Sequence, residues 1–254
     1  MRKNWGRDEL IVAINLYFKI PFGTIHYRNP EIIKLAKYLN RTPSAVSWKL
    51  VNFASFDPSL KKRGIKGATH AGKLDKIVWD DFFNNLDDLA FESEKLLAKL
   101  RHTTVTRLNK LTNDELLKEG KTKEQLVKVR VNQAFFRSSV LASYNNTCCI
   151  TGIKQTELLI AGHIKPWSVD KENRLNPRNG IIINALHDKA FENGLITINQ
   201  DYKIKISSIL KMQKENKFIQ ENFCLYENKS IILPSKFLPD RKFLKYHNEQ
   251  KFKP

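Results

Sequence analysis

Three residues could do chemistry together: His163, Asn179 and His187. The first ends the apolar run Leu158-Leu159-Ile160-Ala161, in "AGHIKPW", and is followed by a rigid Pro166-Trp167 corner. An imidazole there is either a buried ring with one satisfied hydrogen bond or a base, because a side chain with a pKa near 6.5 is mostly neutral at cellular pH and can accept a proton. What else meets that ring decides between the two. Asn179 follows sixteen residues later in "PRNGI", and His187 eight beyond that in "LHDKAFENG". Asp188 is the carboxylate nearest to His187, a hard oxygen donor suited to Mg²⁺.

The elements that must position these groups are short. After His163 the chain makes a polar, proline-bounded loop, "KPWSVDKENRLNPRN", returns through "GIIINA", and enters a helix at "LHDKAFENG". That layout is a β-hairpin followed by a helix. Strands are expected at 157–164, 180–185, 195–198 and 203–207, preceded by a helix over "VNQAFFRSSVLASY". Asn-Gly is an ordinary turn signal too. Arg174 and Arg178 sit in the loop between the first two strands, where each guanidinium either clamps a phosphate or faces solvent.

The first part of the chain reads as helical, with apolar spacing in Leu10, Ile14, Tyr17 and in Ile32, Leu35, Leu39. "PEIIKLAKYLNRTPSAVSWKLVNFAS" has helix-turn-helix grammar: Thr42 caps a helix with Pro43 at its first position, and Val46, Leu50 and Phe53 form its buried stripe. Ser44, Ser47, Trp48 and Lys49 are then expected nearer the outer faces, as on a helix that enters a major groove. Helix pairs of this kind also occur in domains that never touch DNA. The loop "KKRGIKGATHAGK", with Arg63, either grips phosphates or is a solvated basic surface. The expected division is a helical DNA-binding domain over 1–93, a charged helical connector over 94–128, and a third region over 129–254, α+β overall. The charged stretch reads equally as a solvated arm of either neighbour.

With 254 residues and 41% hydrophobic content the chain can bury real cores. Forty-four Lys and Arg against 26 Asp and Glu give a formal net charge of +18, which favours a polyanionic partner. A membrane is the weaker option: the early apolar run "LIVAINLYFKI" is broken by Asn15 and Lys19, and nothing approaches the ~20 apolar residues needed to cross a bilayer. Three cysteines, two of them adjacent, make a poor disulfide framework and suggest a reducing, cytoplasmic setting.

Residues 130–198, from "RVNQAFFRSSVLASYNNTCCITGI" through "LLIAGHIKPW" to "RLNPRNGIIINALHDKAFENGLITI", resemble the HNH nucleases, in the branch found in predicted bacterial restriction and defence proteins. The segment "RTPSAVSWKLVNFASFDPSL" is similar to a helical domain attached to that branch. The resemblance implies a ββα-metal fold and a metal-dependent endonuclease acting on double-stranded DNA. It implies His163 as general base, Asn179 holding the loop in register, and His187 as metal ligand on the helix with Asp188 beside it. Mg²⁺ or Mn²⁺ is the expected cofactor, because phosphodiester hydrolysis needs charge neutralised on the non-bridging oxygen and the leaving 3′ oxygen. Cutting both strands with one base and one metal position per chain leads to an expected homodimer, or else to sequential rebinding.

The sequence departs from that family at two places. Many relatives carry a metal ligand immediately before the base, where this chain has Gly162, so the ligands reduce to His187 with Asp188 or Glu192 and waters. Many carry two CxxC pairs; here Cys148 and Thr151 hold the spacing of one pair and the second is missing, so no structural zinc is expected. The competing readings are a non-catalytic DNA-binding regulator with a decayed motif, for which Gly162 is the best support, and an HNH nuclease that nicks one strand or acts on RNA.

Overall fold

The computed structural model describes residues 4–65, 68, 71–109 and 122–254. It divides into two compact units, Met1–Ser139 and Val140–Pro254.

The first unit is helical and built around α1 (Arg7–Lys19), opened by Glu9, whose carboxylate accepts from the Gly6 amide at 2.8 Å. Eight of its residues are buried, among them Leu10, Ile14 and Tyr17. A helix apolar on nearly every side belongs inside other helices, and α3 (Pro43–Ala54), α5 (Lys73–Phe83) and α6 (Leu86–Leu100) pack against it. Tyr17, Phe18, Phe53 and Trp79 form the aromatic centre. At its edge the Tyr17 hydroxyl donates to the buried Asp57 carboxylate at 2.9 Å.

Helix α2 (Pro30–Tyr38) joins α3 through residues 39–42, with Asn40 at φ +51° in the left-handed region that ends helices. Thr42 caps α3 as expected, its hydroxyl accepting from the Ala45 amide at 3.2 Å with Pro43 at the first position, and Val46, Leu50 and Phe53 are fully buried. Ser44 is exposed, Ser47 half-buried, and Trp48 is 66% exposed.

Lys49 is different from its expected outward position. It is 9% exposed, and its ammonium donates to both carboxylate oxygens of Asp75 at 2.7 and 2.8 Å. Asp75 also accepts from the Asn52 side chain and the Gly72 amide. Lys49 therefore ties α3 to α5. Replacing it with alanine leaves a buried carboxylate with half its partners gone, and is expected to cost about 3–5 kcal/mol, read as a lower urea midpoint.

The chain continues through α4 (Pro58–Lys62) and α7 (Val105–Leu108) to α8 (Lys123–Ser143), within which the two units divide. The boundaries expected at 93/94 and 128/129 fall inside α6 and α8. Residues 110–121 of the expected connector lie outside the described residues, as do 66, 67, 69 and 70 of the basic loop.

In the second unit β1 (Leu159–His163) pairs antiparallel with β2 (Gly180–Asn184), in a register that sets His163 opposite Gly180. Ile181, Ile182 and Ile183 are fully buried, which accounts for the unbroken apolar run of β2. The chain passes directly into α9 (Ala185–Glu192), capped by Asn184, whose Oδ1 accepts from the His187 amide at 2.9 Å. A second hairpin, β3 (Ile196–Ile198) with β4 (Ile204–Ile206), is followed by α10 (Ser208–Lys211), α11 (Lys217–Asn222) and α12 (Arg241–Gln250). Among the described residues no helix is long and apolar enough to cross a membrane.

Candidate active site

The loop after β1 is held by Asn179, which is completely buried. Its Oδ1 accepts from the Lys165 amide at 2.8 Å, and its Nδ2 donates to the Lys165 carbonyl at 3.0 Å. The Ile164 amide also donates to the Asn179 carbonyl at 2.9 Å. A side-chain amide that copies a backbone pair in this way pins the start of β2 to the chain leaving β1.

Within that frame the His163 Nε2–H donates to the Arg174 carbonyl at 2.8 Å. That bond fixes the tautomer, so in the neutral ring the basic lone pair resides on Nδ1. Burial pulls the imidazole below its ordinary 6.5, and the Arg174 carbonyl opposes this only in part. Trp167 stands edge-on at 5.8 Å between ring centroids. Arg174 spends its side chain on the loop: its Nε donates to the Trp167 carbonyl at 3.1 Å, and its guanidinium lies 5.1 Å from the Trp167 ring centroid. Arg178 pairs with Asp240 at 2.9 Å.

Helix α9 splits the two residues expected to act together. His187 is buried; its Nε2–H donates to the Asn222 carbonyl at 2.6 Å, and its ring meets Phe223 and Tyr226 edge-on. The Cys148 thiol lies nearby: burial raises it, but the His187 side chain and the Thr151 groups outweigh the effect and bring it to about 7, while His187 Nδ1 is buried without a hydrogen-bond partner among the described residues. The expected ligand His187 thus lies in a core position, with Nε2 engaged and Nδ1 buried without such a partner. One helical step of ~100° separates it from Asp188, which lines a pocket of about 440 Å³ with Gly162, His163, Trp167, Glu192 and Lys251.

Asp188 and Glu192 are spaced i, i+4, so both fall on that face. The Asp188 carboxyl is raised by burial and by the Glu192 charge, while Glu192 is held by Lys189 at 2.9 Å. Gly162 makes room for Asp188: a Cβ there would stand 2.8 Å from Asp188 Oδ1. Two carboxyl oxygen donors lining one pocket with an imidazole suit a hard divalent cation better than zinc. Among the described residues no three His, Cys, Asp or Glu gather tightly enough to hold an ion alone, so waters and substrate oxygens would complete its shell.

Residues 148–199 match the HNH endonuclease family. No curated protein matches the chain. The HNH segment contains His163, Asn179, His187, Asp188 and Glu192, and HNH nucleases generally act on nucleic acid with a divalent metal. It opens on Cys148 and Cys149, both fully buried, with the Thr151 amide donating to the Cys148 sulfur at 3.4 Å and Gly152 turning the chain at φ +76°. Two pocket residues lie beyond the HNH segment, His247 and Lys251. Their local sequence, "KYHNEQKFK", carries no chemical pattern that points back to α9.

Proposed function

We propose that this protein is a metal-dependent DNA endonuclease that hydrolyses phosphodiester bonds, with a role in restriction or phage defence. The observation that carries the reading is a half-buried, tautomer-fixed His163 sharing one pocket with Asp188 and Glu192. In this scheme His163 Nδ1 takes the proton of the attacking water, and the Arg174 carbonyl steadies the imidazolium that results. Asp188 and Glu192, in place of His187, hold the ion. A bound Mg²⁺ or Mn²⁺ supplies positive charge to the non-bridging oxygen and to the leaving 3′ oxygen. Asn179 keeps base and carboxylates in register.

The regulator reading drew on Gly162, and that support weakens because the glycine accommodates Asp188. Duplex recognition falls to the α2–α3 pair, where Ser44, Ser47 and the exposed Trp48 face outward and Arg63 follows on the surface. The net charge of +18 draws the polyanion in. Double-strand cleavage then takes two chains, one site per strand.

The test is cleavage of supercoiled plasmid in Mg²⁺ or Mn²⁺, with sedimentation of the protein alone and on DNA. Linear product that disappears with chelator, from a protein that dimerises on DNA, is the expected result. Nicked circles without linear product from a monomer would replace the dimer with a nickase. No cleavage in any divalent ion, with DNA still bound, would reject the enzyme.

A further inference from the structure

The pocket's third wall comes from outside the HNH segment. His247, on α12, stacks on Phe191 at 3.7 Å between ring centroids and 14° between planes, and its Nε2–H donates to the Phe191 carbonyl at 3.1 Å. The Thr197 hydroxyl donates to His247 Nδ1 at 2.7 Å and accepts from the Asn248 side chain at 2.8 Å. Burial lowers this imidazole to about 4, so at neutral pH it is an uncharged packing piece.

The chain beyond α12 is fixed just as firmly. The Lys251 and Phe252 amides donate to the His247 carbonyl at 3.1 and 2.9 Å, and the Lys253 amide to the Gly194 carbonyl at 2.9 Å. Gly194, at φ +72°, comes so close that a Cβ on it would stand 2.0 Å from the Lys251 carbonyl oxygen. The backbone of residue 251 is therefore seated against the end of α9, beside Glu192.

Lys251 lines the pocket and is exposed, and among the described residues its ammonium has no ion-pair partner. Glu192, the carboxylate that feels its charge, is already engaged by Lys189. A phosphodiester entering this pocket meets two carboxylates, assigned above to the metal ion, and one cationic side chain without an ion-pair partner among the described residues.

We propose that Lys251 is a substrate-binding residue of the site, its ammonium gripping a non-bridging oxygen of a nucleic-acid backbone phosphate. This rests on the nuclease reading above. A lysine supplies a point charge without base preference, so it contributes affinity and placement but no sequence discrimination.

The test uses the His163→Ala protein, expected to bind while cutting far more slowly, on a short duplex over a range of salt. Adding Lys251→Gln is expected to weaken binding about fivefold or more and to lower the slope of log affinity against log salt by roughly 0.9, the value of one lost phosphate contact. Lys251→Arg should restore both. Lys245→Gln, an α12 cation paired with Glu249, should change neither. In the active protein Lys251→Gln should raise KM with kcat nearly unchanged. An unaltered slope and KM in Lys251→Gln overturns the assignment and leaves the nuclease standing. Failure of the parent protein to bind or cut any nucleic acid overturns both.

Discussion

Replacing His163 with alanine is expected to slow plasmid cleavage by about 10²- to 10⁴-fold, the usual contribution of a positioned general base. DNA affinity should stay within about twofold, because the base acts on the transition state and little on the bound ground state. The pH profile provides a second readout. Burial lowers the His163 pKa below 6.5, and the proposed base acts through the neutral ring. The rate should therefore be flat around neutrality and fall only as acid protonates the ring at its depressed value. A rate limb centred above 6.5, or full turnover by the alanine variant in the same metal, would remove His163 from the mechanism.

The second large effect is expected from Asp188→Asn combined with Glu192→Gln. Two proposed oxygen ligands lose their carboxylates, so Mn²⁺ affinity should drop at least about tenfold, measured by the electron-spin signal of the free ion. Cleavage should fall by about 10²-fold or more. Stability should move the other way. The raised Asp188 pKa means that folding favours its protonated form, so Asp188 contributes stability below its unfolded pKa that is lost as pH rises through the folded one. The metal-free Asp188→Asn protein should accordingly melt at or above the temperature of the parent at pH 7. His187→Ala should do the reverse: it removes a buried ring from among Cys148, Phe223 and Tyr226 and should lower stability while Mn²⁺ affinity holds. Loss of Mn²⁺ binding in His187→Ala with retained binding in the double variant would reverse the assignment.

The helices and both hairpins were legible because their signals are local. Thr42-Pro43 marks a helix start through a bond three residues long, and Ile181 to Ile183 read as a buried strand from apolarity alone. Asn179 was legible as well, since a turn-forming amide and a loop-holding amide use the same hydrogen bonds. The errors lie where the deciding partner is distant. Lys49 was expected to face outward on α3 because nothing near it announces Asp75, 26 residues on. His187 attracts attention as a chemical letter, and its burial was not readable, because Asn222, 35 residues later, takes its Nε2 while Nδ1 stays without a hydrogen-bond partner among the described residues. The i, i+4 spacing of Asp188 and Glu192 was readable in principle, but choosing that face required knowing which side of α9 meets His163. Lys251 had no local signal of any kind, because its relevance is created by packing against Gly194.

That seating of residue 251 against Gly194 bears on how the protein is made. Translation delivers His163, Asp188 and Glu192 well before the α12 segment that walls their pocket, with roughly 90 residues between His163 and Lys251. At ~5–20 residues per second the ribosome spends several seconds on that interval. During it the nascent hairpin and α9 lack the His247 stack on Phe191 and the lysine at the pocket mouth. The wall that His247 and Lys251 give the pocket thus emerges last, after the His163, Asp188 and Glu192 side has already been synthesised.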